Sequence, residues 1–193
     1  EAFSDIAQAV EELTGADGRP LQVTTSSAFA SNWLMPRLSE FRHLHPDIEL
    51  MLYPTSQLVE LVPGGVDVAI RFGKGNWRGL DADLLMPTTM VLVGSVSLLA
   101  DRTIREPRDI LDLPWLQELG TSEMSNWLRD RGVIAPRKGS VIHLPGHLVL
   151  EGVRSGAGVS LASCVVVEPE LASGRMVALF EDVDPGTGYY IGT

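Results

Sequence analysis

Cysteine is almost absent. Cys164 is the only one in 193 residues, so no disulfide can form within the chain, and the sequence fits a reducing compartment. Periplasmic proteins without disulfides share that trait. Cations are scarce too: 15 Lys and Arg stand against 25 Asp and Glu, a net charge of −10. Binding to a phosphate backbone depends on cations that displace its counterions, so this chain is a poor nucleic-acid binder by itself. No segment forms a basic patch or an acidic tail. Long apolar runs are missing as well; a stretch such as Cys164–Val167 falls far short of the ~20 residues a membrane span needs. No basic, apolar leader with a small-residue cleavage site opens the sequence, and a cytoplasmic protein is expected. What is present is an ordinary globular mix, 45% hydrophobic and 21% charged, in a length that suits one domain or two small lobes.

Residues 2–14 read as an amphipathic helix with Phe3, Ile6, Val10 and Leu13 on one face, and residues 15–20 as a connector. Such a helix either folds back on the domain or is the end of a longer helix joining this domain to another. After Pro20 the pattern alternates: strand Leu21–Thr25, helix Phe29–His43 with Trp33, Leu34, Leu38 and Phe41 facing a core, strand Ile48–Tyr53, short helix Ser56–Val62, and buried strand Val66–Phe72. A β-α-β-α-β run of this kind signals a parallel sheet with right-handed crossovers. Leu84–Ser95 follows as one long strand interrupted by Pro87. Alternation then resumes: helix Asp109–Leu113, strand Trp115–Leu119, helix Ser122–Arg131, strand Val141–Leu144, helix His147–Ser155, strand Val159–Ala162, a helical turn Pro169–Ser173, and strands Met176–Phe180 and Tyr189–Ile191. The expected fold class is α/β, two Rossmann-like lobes with a cleft between them. The lobes span residues 21–90 and 91–193 and divide near Thr89–Val91.

Catalytic and cofactor signatures fail one by one. Gly156-Ala157-Gly158 lacks the third glycine of a dinucleotide fingerprint and precedes a strand rather than a helix, which marks a tight turn. Gly73-Lys74-Gly75 has no P-loop spacing. Ser160 lacks the second glycine of a nucleophile elbow and reads as a strand residue. His43 and His45 have no ligand set around them and read as surface residues, not zinc ligands. Cys164 reads as a small buried residue. No reaction class, no metal and no cofactor is expected.

Polar groups at the carboxyl ends of strands remain, where ligands bind in open α/β sheets. Thr25-Ser26-Ser27, followed by Ser31, opens a helix after the first strand; these hydroxyls either cap the helix or hold a ligand anion, and the two roles can coexist. Arg71, Phe72 and Trp77 follow the third strand; Trp77 either faces the ligand or braces its loop. In the second half Thr121 and Ser122 open a helix, His143 ends a strand, and His147 begins the next helix. The expected lining is therefore Ser26, Ser27, Ser31, Arg71, Phe72, Trp77, Thr121, Ser122, His143 and His147, around an anionic or carboxylate-bearing small molecule.

Three blocks then carry a resemblance. Thr25–Leu38 with Phe41 and His45-Pro46-Asp47-Ile48, Gly65–Trp77 with Gly79-Leu80, and Glu151–Ala162 with Glu170–Phe180 resemble the effector-binding domain of LysR-type transcriptional regulators. The branch is that of the glycine-cleavage activator and the β-lactamase regulator. The resemblance implies a type 2 periplasmic-binding-protein-like fold. It also implies a ligand-sensing domain that passes its signal to a helix-turn-helix absent from this chain, so that DNA is met only through that absent part. It makes residues 1–20 the end of a linker helix and its connector, and ends the chain at Thr193 before the family's closing return to the first lobe. A homodimer through the helix at Phe29–His43, a tetramer at full length, no membrane partner and no enzyme activity complete the expectation. A transporter's solute-binding protein is the alternative; an enzyme using the same cleft is the more distant one.

Overall fold

The structure, a computed structural model, describes residues 19–193 other than 60, 62, 63, 78 and 135–139. The apolar stripe Phe3/Ile6/Val10/Leu13 lies outside the described residues. The described chain divides into two units, one running to Thr88 and resuming at Asp184–Thr193, the other Thr89–Val183. Residues 184–193, counted with the second lobe from sequence, thus add a strand to the first unit.

The first unit holds a five-stranded sheet. Its strands are β1 (Leu21–Thr25), β2 (Leu50–Pro54), β3 (Val68–Gly73), β4 (Ala82–Pro87) and β10 (Gly188–Gly192), in the order β2-β1-β3-β10-β4. β1 runs parallel to β2 and β3, while β10 is antiparallel to β3 and β4. Central β3 begins Val68-Ala69-Ile70, all buried, as a strand covered on both faces requires. The chain enters β1 through Arg19, whose guanidinium grips the Asp67 carboxylate; Asp67 also accepts the Gln22 N–H at 2.9 Å.

The helix expected at Phe29–His43 is a composite. It starts as α1 (Ser27–Phe29), widens to a π turn at Ala30–Leu34, tightens to a 3-10 turn at Met35–Arg37 and ends as α2 (Leu38–Leu44). Pro36 explains the change of pitch, because it has no N–H to give the preceding turn and its ring crowds a carbonyl there. Side chains take up freed carbonyls: Asn32 donates to the Ala28 carbonyl and Arg37 to that of Trp33, both at 2.9 Å. Phe29, Trp33, Leu34 and Phe41 are buried on the sheet. Phe29 stacks on Trp33 at 4.8 Å and meets the Tyr189 ring at 4.2 Å.

Three further expectations are corrected. In the described part of the helix expected at Ser56–Val62, residues 56 and 57 bend and 58 and 59 are irregular, without helical bonding, and Arg71 takes up the Thr55 and Gln57 carbonyls, as described below. Leu84–Ser95 is not one strand: β4 ends at Pro87, and β5 (Met90–Ser95) starts in another sheet. The turn expected at Pro169–Ser173 is a full helix, α6 (Cys164–Ala172), which admits Pro169.

The second unit carries an antiparallel sheet β8-β5-β9, with β8 at Ser160–Ser163 and β9 at Met176–Asp182, and a parallel pair β6 (Trp115–Glu118) and β7 (Val141–Leu144). A parallel bridge from Trp115 to Val159 links the pair to the start of β8. Around them lie α3 (Val96–Leu99), which the sequence pattern missed, α4 (Glu123–Asp130), α5 (Gly146–Arg154) and α6. The core gathers Leu92, Ile110, Leu113, Trp115, Met124, Trp127, Leu128 and Val159. Trp115 is fully buried and its indole N–H donates to the Ile110 carbonyl at 2.9 Å, so its polar atom adds no penalty to the burial. The turn reading of Gly156–Gly158 holds: Gly156 has φ +80°, and a Cβ on Gly158 would stand 2.6 Å from the Pro114 carbonyl oxygen. Glu170 is only 7% exposed; Arg154 Nε and Arg175 Nε hold its two oxygens at 2.9 and 2.7 Å. Cys164 is half-buried rather than buried, because it opens α6 instead of lying in a core strand.

Candidate functional site

Each unit presents polar groups at the carboxyl ends of its parallel strands, and each rim is built differently. In the first unit, β1 ends at Thr25. Ser26 is the N-cap of α1 and its Oγ accepts the Phe29 N–H at 3.3 Å, so capping is its role within the fold. Ser27 is half-buried on the first helical turn, and Ser31 is exposed in the π turn. Arg71 is turned onto its own unit. Its guanidinium donates to the Thr55 carbonyl at 2.6 Å, the Thr24 hydroxyl at 2.8 Å and the Gln57 carbonyl at 3.1 Å. It fastens the bend that replaces the expected helix, and brings a positive charge to the end of β3. Phe72 meets the Tyr189 ring edge-on at 5.7 Å, and Trp77 meets Tyr190 at 5.8 Å. A Cβ on Gly73 would lie 2.9 Å from the Trp77 ring, so Trp77 braces its loop.

In the second unit, the turn after β6 carries Thr121, whose Oγ1 donates to the Glu118 carbonyl at 2.9 Å. Ser122 precedes α4 and accepts from Asn126 Nδ2 at 3.2 Å. His143 lies on β7 in register with Gln117. His143 and His147 are both exposed. Glu118 packs against the start of α5: a Cβ on Gly146 would stand 2.4 Å from Glu118 Oε1. The Glu123 carboxyl is held above the usual glutamate range, first by loss of water around it and then by the nearby Glu118 charge.

Two residues of these rims are not in the lining expected from sequence. Thr25 is fully buried and Gln117 is 5% exposed, yet Thr25 Oγ1 and Gln117 Oε1 have no hydrogen-bond partner among the described residues. A buried polar atom left unpaired costs roughly 1–3 kcal/mol, so each one calls for an explanation; a third, Trp127 Nε1, lies in the second unit's core. Thr25 belongs to the Thr-Ser-Ser motif read as a cap or an anion site, while the expected lining starts at Ser26. Gln117 is the one amide in the apolar strand Trp115–Glu118, which was the available signal.

Elsewhere, an open groove of about 260 Å³ runs along α3 and β9, lined by Val96, Leu99, Arg102, Ile104, Val177 and Leu179. It is not at the ends of parallel strands. Among the described residues no group of three or more His, Cys, Asp or Glu side chains is arranged to hold a metal, and no helix is long and apolar enough to cross a membrane.

A family model described as the LysR substrate binding domain matches residues 14–193. The AhcY transcriptional activator HvrB of Rhodobacter capsulatus is 34% identical over 193 residues, covering 99% of this chain and 66% of that protein. The glycine cleavage system transcriptional activator of Escherichia coli is 30% identical over 187 residues, covering 95% of this chain and 61% of that protein. Among solved structures, the AmpR effector binding domain from Citrobacter freundii superposes with a TM-score of 0.69 at 28% identity, covering 90% of this chain and 87% of that one. The chain spans slightly less than two thirds of the length of the curated relatives it matches.

Proposed function

The chain belongs to the family of LysR substrate-binding domains, and from that premise we propose that it is the effector-sensing half of a transcription regulator. It binds a small molecule and passes the signal to a DNA-binding part outside this sequence. A transporter's solute-binding role is not favoured, because the similar proteins are transcriptional activators. The same similarity favours a regulator in the cytoplasm, where its DNA is, over an enzyme.

The observation that carries the reading is the pair of unpartnered buried atoms, Thr25 Oγ1 and Gln117 Oε1, one at the carboxyl end of a parallel strand in each unit. Ser26, Ser27, Ser31, Arg71 and Phe72 join Thr25 as the first unit's effector contacts, and Trp77 supports them by bracing its loop. Thr121, Ser122, His143 and His147 join Gln117 in the second. The Arg71 charge and the N–H groups at the start of α1 favour a carboxylate or other anionic group at the first unit's rim. Pairing of two copies is supported by apolar side chains left exposed along the composite helix and the edge strand β2, Met35 at 54%, Leu44 at 58% and Met51 at 45%. A standard interface would bury about 1,000 Å² or more in total; sedimentation showing only a 20.9 kDa species would rule the pair out. The function is tested by Ser27→Ala and Thr121→Ala in a full-length regulator carrying this domain, read by a reporter under its promoter. Loss of the effector response with DNA binding retained is expected; an unchanged response in both would move the site elsewhere.

A further inference from the structure

The two rims differ in what they can offer a ligand. Within residues 25–32 and 70–77 there is no acidic side chain, while residues 117–123 carry two, Glu118 and Glu123. The amide of Gln117 is fixed in orientation, because its Nε2 donates to the Thr121 carbonyl; a flipped amide would set oxygen against oxygen. Its Oε1 is therefore a buried acceptor with no donor. The nearby N-terminus of α5, where an anion would ordinarily bind, is already packed against the Glu118 carboxylate at Gly146. Glu123 opens α4 on the exposed side of the rim, and its carboxyl is held above the usual glutamate range by loss of water and by the Glu118 charge, a state that an incoming positive charge relieves. A buried acceptor and two carboxylates leave no place for an anion here.

We infer that the second unit's rim is a subsite for a hydrogen-bond-donating, positively charged group of the effector. Gln117 Oε1 accepts its N–H, and Glu123 supplies the opposing charge. Gln117 Oε1 is closed to water, so the Glu118–Thr121 turn yields when the donor arrives. That turn is held by the Thr121 N–H and Oγ1 bonds to the Glu118 carbonyl, 3.2 and 2.9 Å, and Leu119 within it is half exposed. This inference rests on the effector-sensing reading above.

Three matched probes test it on this chain labelled with nitrogen-15: β-alaninamide, a cation; β-alanine, a zwitterion; and propionate, an anion. Two-dimensional amide spectra follow each titration. The cation and the zwitterion are expected to shift the Gln117 side-chain amide and the backbone of 118–123, and propionate to leave them in place. Glu123→Gln and Gln117→Met are each expected to weaken the cation's binding about tenfold, the scale of one charge-assisted hydrogen bond; the same spectra show that each variant is folded. Propionate shifting 118–123 as strongly as the cation would overturn the inference, as would binding of the cation unaffected by both substitutions. If propionate moves Thr25–Ser27 while the cation leaves 117–123 untouched, the donor subsite falls and the effector-sensing reading stands. If none of the probes moves either rim, both fall.

Discussion

Replacing Thr25 by valine separates a residue kept for binding from one kept for folding. The two side chains have nearly the same shape, and both are branched at Cβ, so the backbone of β1 keeps its preference. The main-chain bond from Thr55 N–H to the Thr25 carbonyl, 2.8 Å, does not involve the side chain. What changes is one buried hydroxyl whose oxygen has no partner. Removing an unpaired buried hydroxyl recovers part of a penalty of roughly 1–3 kcal/mol. We expect Thr25→Val to be more stable than the parent by about 1 kcal/mol, a rise in Tm of roughly 2–4 °C for a chain of this length. Binding goes the other way. If the hydroxyl bonds a charged group of the ligand, its loss costs about 1.5–3 kcal/mol, or roughly 10- to 100-fold in affinity. Differential scanning calorimetry and titration with β-alanine read the two signs. A variant that is less stable and binds as before would refute the reasoning, because the hydroxyl would then serve the fold.

Other outcomes follow from the same contacts. Arg71→Met removes the donors to the Thr55 and Gln57 carbonyls, so hydrogen exchange at residues 55–59 should speed up about tenfold or more, since each charged hydrogen bond lost is worth roughly 1.5–3 kcal/mol; unchanged exchange would show that the bend holds itself. Glu170 is held below the usual glutamate range by hydrogen bonds from Arg175 and then Arg154, against the opposing effect of burial. A lowered native value means its stabilisation is complete above the ordinary glutamate value of 4.5 and is lost as pH falls through the native one. Glu170→Gln should therefore cost about 2 kcal/mol at neutral pH, less than a fully buried pair because Arg175 is mostly exposed, and should flatten the acid limb of the stability curve; a parallel acid limb would contradict this. Gly158→Ala drives a Cβ against the Pro114 carbonyl oxygen and Leu116, where the Val159 N–H to Pro114 bond of 2.9 Å fixes the backbone. It should cost about 2–4 kcal/mol, read as a lowered urea midpoint.

Much of the fold was legible because its signals are local. Apolar Val68-Ala69-Ile70 between turn residues reads as a buried strand, and Gly156-Ala157-Gly158 after an apolar helix reads as a return to the sheet; both are so. The failures have specific causes. The helix at Ser56–Val62 has the right residues for a turn of helix, but a distant guanidinium, Arg71, satisfies the carbonyls that helical bonding would have used. Pro87 was read as a blemish in one strand, although a residue without an N–H suits the end of an edge strand such as β4. The candidate site was legible as places, the ends of strands, and less so as atoms. Ser26 caps its helix and Trp77 braces its loop, whereas the unpaired groups of the two rims belong to Thr25 and Gln117. No periodicity reports whether a buried hydroxyl or amide has found a partner, since that depends on which chain segments arrive beside it.

The most direct test is a crystal structure of this chain with a ligand selected by thermal stabilisation from a set of small dipolar metabolites. Electron density with an acceptor group against Thr25–Ser27, or with an N–H group against Gln117, is the predicted result. Density seated in the apolar groove of Val96, Leu99, Val177 and Leu179, with both rims untouched, would contradict it.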